Sequence, residues 1–330
     1  MATKTAPDAR AVVEAMKAYD TFAVSTHINP EGDALGSAIA LALALRSAGK
    51  KADVVIRDHV PAYLDFLPYQ GVVVPQNRTL PAGYDVLAVV DCGDLDRTGL
   101  FPGTPPPVKL VVNIDHHLTN RQFGGLNWVI PDATASGQMV YELIRAWGLS
   151  VSRDMALCLY TTLLSETGSF RYSNTKPATL RMAADLLECG VESAKVAQAL
   201  YERNSPGRLQ LLGEVLRSLA RHAGGKIAWV TVTQESFQKT GTSAEDTEEM
   251  VNYPRSLKGV EVAVLFREIT PTEYKVSLRS QGRVDVAAVA EGFGGGGHRN
   301  AAGCTVQGDL KSVQGRVLSV VEAATIREAP

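Results

Sequence analysis

The chain has 330 residues, 45% of them hydrophobic and 21% charged, with 33 Lys and Arg against 35 Asp and Glu. That is an ordinary globular composition, long enough for two cores. With a formal net charge of −2 and no block of basic residues, long duplex nucleic acid is a poor partner, whereas a short anionic ligand held locally is compatible.

The opening MATKTAPDAR has no apolar signal core, and the longest apolar helical run, 38–45, is far too short to span a bilayer. A cytoplasmic location without membrane contact is expected. Residues 22–27 read as a short buried strand running into a turn, INPEG, and 34–48 as an Ala- and Leu-rich helix ended by Gly49. Further strands are expected at 52–57, 85–90 and 109–114, a surface loop over the proline-rich 102–107, and helices at 134–147, 153–164 and 176–189. Strands alternating with helices at these lengths predict an α/β fold with a largely parallel sheet. The segment 165–175 breaks the helical pattern. The stretch 191–222, with Pro206 and Gly207 inside it, reads as a helical linker. Beyond it 227–233, 260–269 and 273–280 are strand-like and 313–326 is a closing helix, which predicts a smaller α/β domain. The expected division is therefore 1–190, 191–222 and 223–330. Cys92, Cys158, Cys189 and Cys304 form no CxxC pair and read as reduced, mostly buried thiols.

Three apolar runs close on a polar residue: His27, Asp91 and Asp115. In open α/β sheets ligands bind at the carboxyl ends of the strands, so these residues are expected along one edge. Alone, Asp33 would read as a helix cap and His27 as an ordinary histidine. Together with Glu31, His116 and His117 they form a mixed imidazole and carboxylate set. Converging carboxylates repel one another unless cations neutralise them, and such a set suits Mn²⁺ or a similar ion.

THINPEGDALGS (26–37), VDCGD (90–94), DHH (115–117) and SETGSFRYSNT (165–175) resemble, in order, the motifs of the DHH phosphoesterase superfamily. GGGGH (294–298) followed by AAG (301–303) resembles the signature of its DHHA1 domain. The likeness covers about residues 20 to 310 and falls in the nanoRNase branch. It implies two domains with a cleft between them, the first holding the metals. It also implies hydrolysis of di- to about pentanucleotides of RNA or DNA, and of the 3'-phosphate of the bisphosphate nucleotide pAp.

Two divalent ions are implied, Mn²⁺ foremost, with Mg²⁺ or Co²⁺ as alternatives. His27, Glu31 and Asp91 would hold one, and Asp33, Asp91, His116 and Glu166 the other. Asp115 would orient a histidine ring, and His117 would serve as phosphate ligand or proton donor. Arg171, Arg279 and His298 would meet the substrate's phosphates beside the bare backbone of Gly295, Gly296 and Gly297. Glu31 and Glu166 stand where the family pattern has aspartate. Rival readings are a phosphodiesterase for cyclic or linear dinucleotides (pGpG, pApA) and a non-catalytic nucleotide sensor of the same fold. A homodimer is compatible with the sequence.

Overall fold

A computed structural model describes residues 8–74, 79–101 and 104–327. The chain divides into two compact units, 1–203 and 204–330. The proline-rich loop expected over 102–107 is described only from residue 104, where it is largely exposed; 102–103 lie outside the described residues.

In the first unit, α1 (Ala9–Lys17) leads into β1 (Thr21–Ser25), α2 (Gly32–Ser47) and β2 (Lys51–Val54). β3 (Val86–Val90), β4 (Leu110–Asp115) and β5 (Leu126–Val129) follow, then α3 (Ser136–Trp147), α4 (Arg153–Thr167), α5 (Pro177–Glu188) and α6 (Ser193–Tyr201). The strands form one parallel sheet in the order β2-β1-β3-β4-β5. β1 has β2 on one side and β3 on the other, so the chain changes direction across the sheet here. Such a switch point opens a crevice at the carboxyl ends of its strands. β3 is VLAVV and buried at every position, as a strand covered on both faces requires. β5, an edge strand, was not expected: its four residues, of which Trp128 is buried and the others half-buried, are too few for a periodic signal.

α2 is apolar almost all round and therefore buried from Gly32 to Leu45, apart from the half-buried Leu43. Two glycines let its neighbours close in. A β-carbon on Gly36 would lie 2.8 Å from the Cys158 carbonyl oxygen of α4, and one on Gly137 of α3 would lie 2.0 Å from Thr162 Oγ1, also of α4. The three helices thus pack close to backbone contact, which brings Asp33 of α2 to the first turn of α3.

The second unit comprises α7 (Pro206–Arg217), β6 (Ala220–His222), β7 (Ile227–Val232), α8 (Gln234–Thr240), α9 (Asn252–Arg255), β8 (Val262–Thr270), β9 (Glu273–Ser280), α10 (Val286–Glu291), β10 (Gly296–His298), β11 (Ala301–Gln307) and α11 (Leu310–Arg327). Its sheet runs β10-β11-β9-β8-β7-β6, with β7 and β8 parallel and the other pairs antiparallel. One face packs on α10 and α11 through Val276, Leu278, Val289 and Val317. The other is covered over β7 and β8 by Leu211, Val215, Phe237 and Val251. No helix among the described residues is long and apolar enough to cross a membrane.

Candidate active site

β1, β3 and β4 deliver the polar residues to one edge. His27 follows β1 by two residues, Asp91 follows β3 directly, and Asp115 is the last residue of β4. Glu31 is the N-cap position of α2 and Asp33 lies in its first turn. Asp91 has a left-handed backbone, φ 52°, with its amide donating to the Ile114 carbonyl. A non-glycine residue is held in that region only where its surroundings over-determine it.

His27 and His116 are anchored alike. His27 Nδ1 is 2.8 Å from the Ile28 carbonyl and His116 Nδ1 is 3.3 Å from that of Ala133. A carbonyl can only accept, so each Nδ1 carries a proton and each Nε2 turns to the carboxylates. His27 Nε2 is 3.2 Å from Glu31 and 3.7 Å from Asp91; His116 Nε2 is 3.4 Å from Asp91 and 3.6 Å from Asp33. Ring orientation by a partner on the far nitrogen is the usual arrangement of metal-ligating histidines.

Two ligand triplets form around these imidazoles, His27 with Glu31 and Asp91, and Asp33 with Asp91 and His116, each with donor atoms within 4.8 Å of one another. Asp91 belongs to both, and it forms a third such triplet with Asp115 and His117. Glu166, in the last turn of α4, lies outside both triplets but close enough for its charge to be felt by Asp33 and His116. α4 runs to Thr167, so the break expected from residue 165 begins only at Gly168.

The crowding of buried charge sets the electrostatics of the site. Burial, then the charge on Asp91, pushes Asp33 up to about 7. Burial, then Asp33, pushes Glu166 up to about 8. Burial disfavours charge on His27, but Glu31 and Asp91 outweigh it and raise the ring to about 11; His116 is also raised well above its ordinary value, burial notwithstanding, by Asp91 and Asp33. Against its own burial, Asp91 is held well below the carboxylate range by His116 and His27. Four carboxylates are crowded here, and like charges this close favour bound cations. Oxygen and imidazole donors arranged this way fit two divalent cations sharing Asp91.

Asp115 is buried, and its Oδ1 lies 2.7 Å from His117 Nδ1. Its Oδ2 accepts from Asn120 Nδ2 at 2.5 Å, which also donates to Asn113 Oδ1 at 2.8 Å. Asp115 therefore fixes the His117 ring through Nδ1. Burial opposes its charge, but Asp115 and Asp91 raise its pKa.

Sequence reasoning missed the supports of these residues. The Ser136 amide donates to Asp33 Oδ2 at 2.8 Å and the Gly137 amide to Asp33 Oδ1 at 3.0 Å. Asp33 thus caps α3, a helix more than a hundred residues away, and not its own. Ser37 Oγ donates to Asp33 Oδ1 and Ser136 Oγ to Asp91 Oδ1, each at 3.0 Å. The one available signal was Ser136-Gly137 opening a helix whose N-cap, Ala135, has no side chain to cap it.

Of the remaining expected residues, Arg171 is exposed, its Nε donating to the Gly168 carbonyl at 2.6 Å. Arg279 lies half-buried on β9. Gly296, Gly297 and His298 form a strand, β10, where a bare loop was expected. A β-carbon on Gly295 would meet the Gly303 carbonyl at 2.2 Å and one on Gly297 the Ala301 carbonyl at 2.5 Å, so both glycines are required by their own hairpin; Gly296 faces open space.

Comparison with known proteins agrees with this arrangement. Residues 21–163 match the DHH family, N-terminal domain, and 224–325 the DHHA1 domain. The chain is 37% identical over 320 residues, 96% of its length and 94% of the relative's, to the bifunctional oligoribonuclease and PAP phosphatase NrnA of Thermus thermophilus. It is 26% identical to the protein of that name from Bacillus subtilis, over 89% of this chain and 92% of the other. The crystal structure of an exopolyphosphatase-related protein from Bacteroides fragilis superposes with a TM-score of 0.86 at 27% identity, covering 99% and 98% of the two chains. With both domains matched in order and a near full-length relative at this identity, the chain belongs to the DHH–DHHA1 phosphoesterases, in the NrnA family.

Proposed function

We propose that this chain is a metal-dependent phosphoesterase that hydrolyses short oligonucleotides to mononucleotides and removes the 3'-phosphate of pAp. The observation that carries the reading is Asp91, one buried carboxylate common to two ligand triplets. The near full-length likeness to the Thermus relative, named for both activities, supports the substrate class.

His27, Glu31 and Asp91 would hold one divalent ion, and Asp33, Asp91, His116 and Glu166 the other, with Mn²⁺ the best activator. When bound, such a pair lowers the pKa of water and neutralises charge on phosphoryl oxygens. The chain's own residues do the rest. Asp115 holds the His117 ring through Nδ1. Asp115 and Asp91 raise the pKa of His117 against its burial, which favours the protonated ring as the donor to the leaving oxygen. Arg171, Arg279 and His298 hold phosphates of the substrate, with Gly295, Gly296 and Gly297 beside them. The test is a panel assay with added Mn²⁺, Mg²⁺ or Co²⁺ on pAp, di- to pentanucleotides of RNA and DNA, and a cyclic dinucleotide. Turnover of pAp and short linear chains is expected; turnover of the cyclic dinucleotide alone would contradict the reading.

A further inference from the structure

Asn113 is polar where the fold asks for an apolar residue. It lies fully buried within β4, on the face it shares with Val111 and Asp115. In register it stands opposite Val89, a member of a small apolar cluster. A buried amide left unpaired is costly, so its partners have to be accounted for. They lead from the strand to the site.

The pairing has one direction. The Cys92 carbonyl can only accept, so Asn113 turns its Nδ2 to it at 3.1 Å. Asn113 Oδ1 is then the acceptor for Asn120 Nδ2 at 2.8 Å. The same Asn120 nitrogen donates to Asp115 Oδ2 at 2.5 Å, and Asn120 Oδ1 accepts from the Gln122 amide at 2.6 Å. A flipped Asn120 would set its oxygen against the Asp115 carboxylate and its NH₂ against a backbone N–H, so the network fixes its orientation. Polarity thus runs from a backbone carbonyl through two amides to Asp115, whose Oδ1 holds His117 Nδ1 at 2.7 Å.

The same contacts join two loops. Cys92 directly follows Asp91, and beside it the Gly93 carbonyl accepts from the Arg121 amide at 2.8 Å. The loop after β4 is laid in this way on the loop after β3. Asp115 is buried with both oxygens engaged, and its carboxylate cannot rotate while Asn120 holds Oδ2.

We propose that Asn120, itself set by Asn113, is a positioning residue for the reaction: it fixes the rotation of the Asp115 carboxylate and, through it, the His117 ring. The proposal rests on the hydrolytic reading given above and gives work to two amides outside the metal ligands.

The experiment compares the full chain with N120L, which keeps the size of the side chain without its amide, and with N120A. In Mn²⁺ with a dinucleotide, each variant is expected to lose about 10–100-fold in kcat, the scale of an outer partner of a site, with KM and bound Mn²⁺ unchanged. Introduced into H117A, N120L should cost no further activity, because its effect runs through that ring. NMR of the chain in Mg²⁺ follows the proton on His117 Nδ1, assigned by its absence from H117A. N120L should shift that signal or speed its exchange with water. Wild-type kcat in N120L, loss of Mn²⁺, or an equal loss in the H117A background would each overturn the proposal. Should N120L fail to fold, N120A decides in its place. No dinucleotide turnover by wild type, with a His117 signal that N120L moves, would retire the assigned activity and keep the positioning; turnover with kcat and signal untouched by N120L would do the reverse.

Discussion

Asp91 concentrates the demands of the site on one residue. It lies in a left-handed conformation, faces three imidazoles, and receives the Ser136 hydroxyl. D91A is therefore expected to lose both ions, whereas S136A, which removes a hydrogen bond to the same carboxylate, should weaken metal affinity by roughly 10–100-fold. Titration of Mn²⁺ followed by calorimetry reads both; a D91A protein that still binds two ions would refute the shared-ligand assignment. His117 belongs to a different class. H117A should retain its metals and lose roughly 10²–10⁴ in kcat if the ring transfers a proton. Loss of metal in H117A would make it a ligand instead. The protons of the metal-free site give a further expectation. Asp33 at about 7 and Glu166 at about 8 hold protons below those values, as do the raised rings of His27 and His116. Metal must displace them, so apparent affinity should rise with pH through this range and fall on acidification from 8 to 6. Calorimetry in buffers of different ionisation enthalpy would show the released protons, and a pH-independent affinity would contradict the assignment.

At the level of elements, the site depends on how closely three helices approach. Gly137 is where α3 meets Thr162 of α4, and its amide is one of the three donors to Asp33. G137A should cost about 1–3 kcal/mol by overpacking. It should also weaken metal binding, because the first turn of α3 must move away from Asp33. Denaturant unfolding and metal titration of the variant check both effects, and an unperturbed variant would remove the helix contact from the account. These helices also mark what was legible in the sequence. His27, Asp91 and the DHH triplet could be read because each sits at the end of an apolar run, a contiguous pattern that fixes both the strand and the polar residue after it. The capping of α3 by Asp33 could not, since donors and acceptor are more than a hundred residues apart and meet only through packing. Asn120 was invisible for the same kind of reason: its function lies in which way a loop returns over Asp115. Gly295 and Gly297 carried a real signal, and the tight β10–β11 hairpin is one cause of it that the sequence did not show.

For the whole molecule, the charge balance and the two matched domains favour a short substrate. A net charge of −2, with no block of basic residues, offers no extended basic track. Single-strand tracking proteins instead pair a long positive groove with stacked aromatics over roughly 4–16 nucleotides per domain. The central claim is a metal-dependent hydrolase that selects short chains, and kcat/KM against chain length in Mn²⁺ tests it most directly. The account predicts the highest values for di- and trinucleotides, a fall beyond about five nucleotides, where a substrate would need such a track, and measurable phosphate release from pAp. A profile that is flat or rises with length would contradict it.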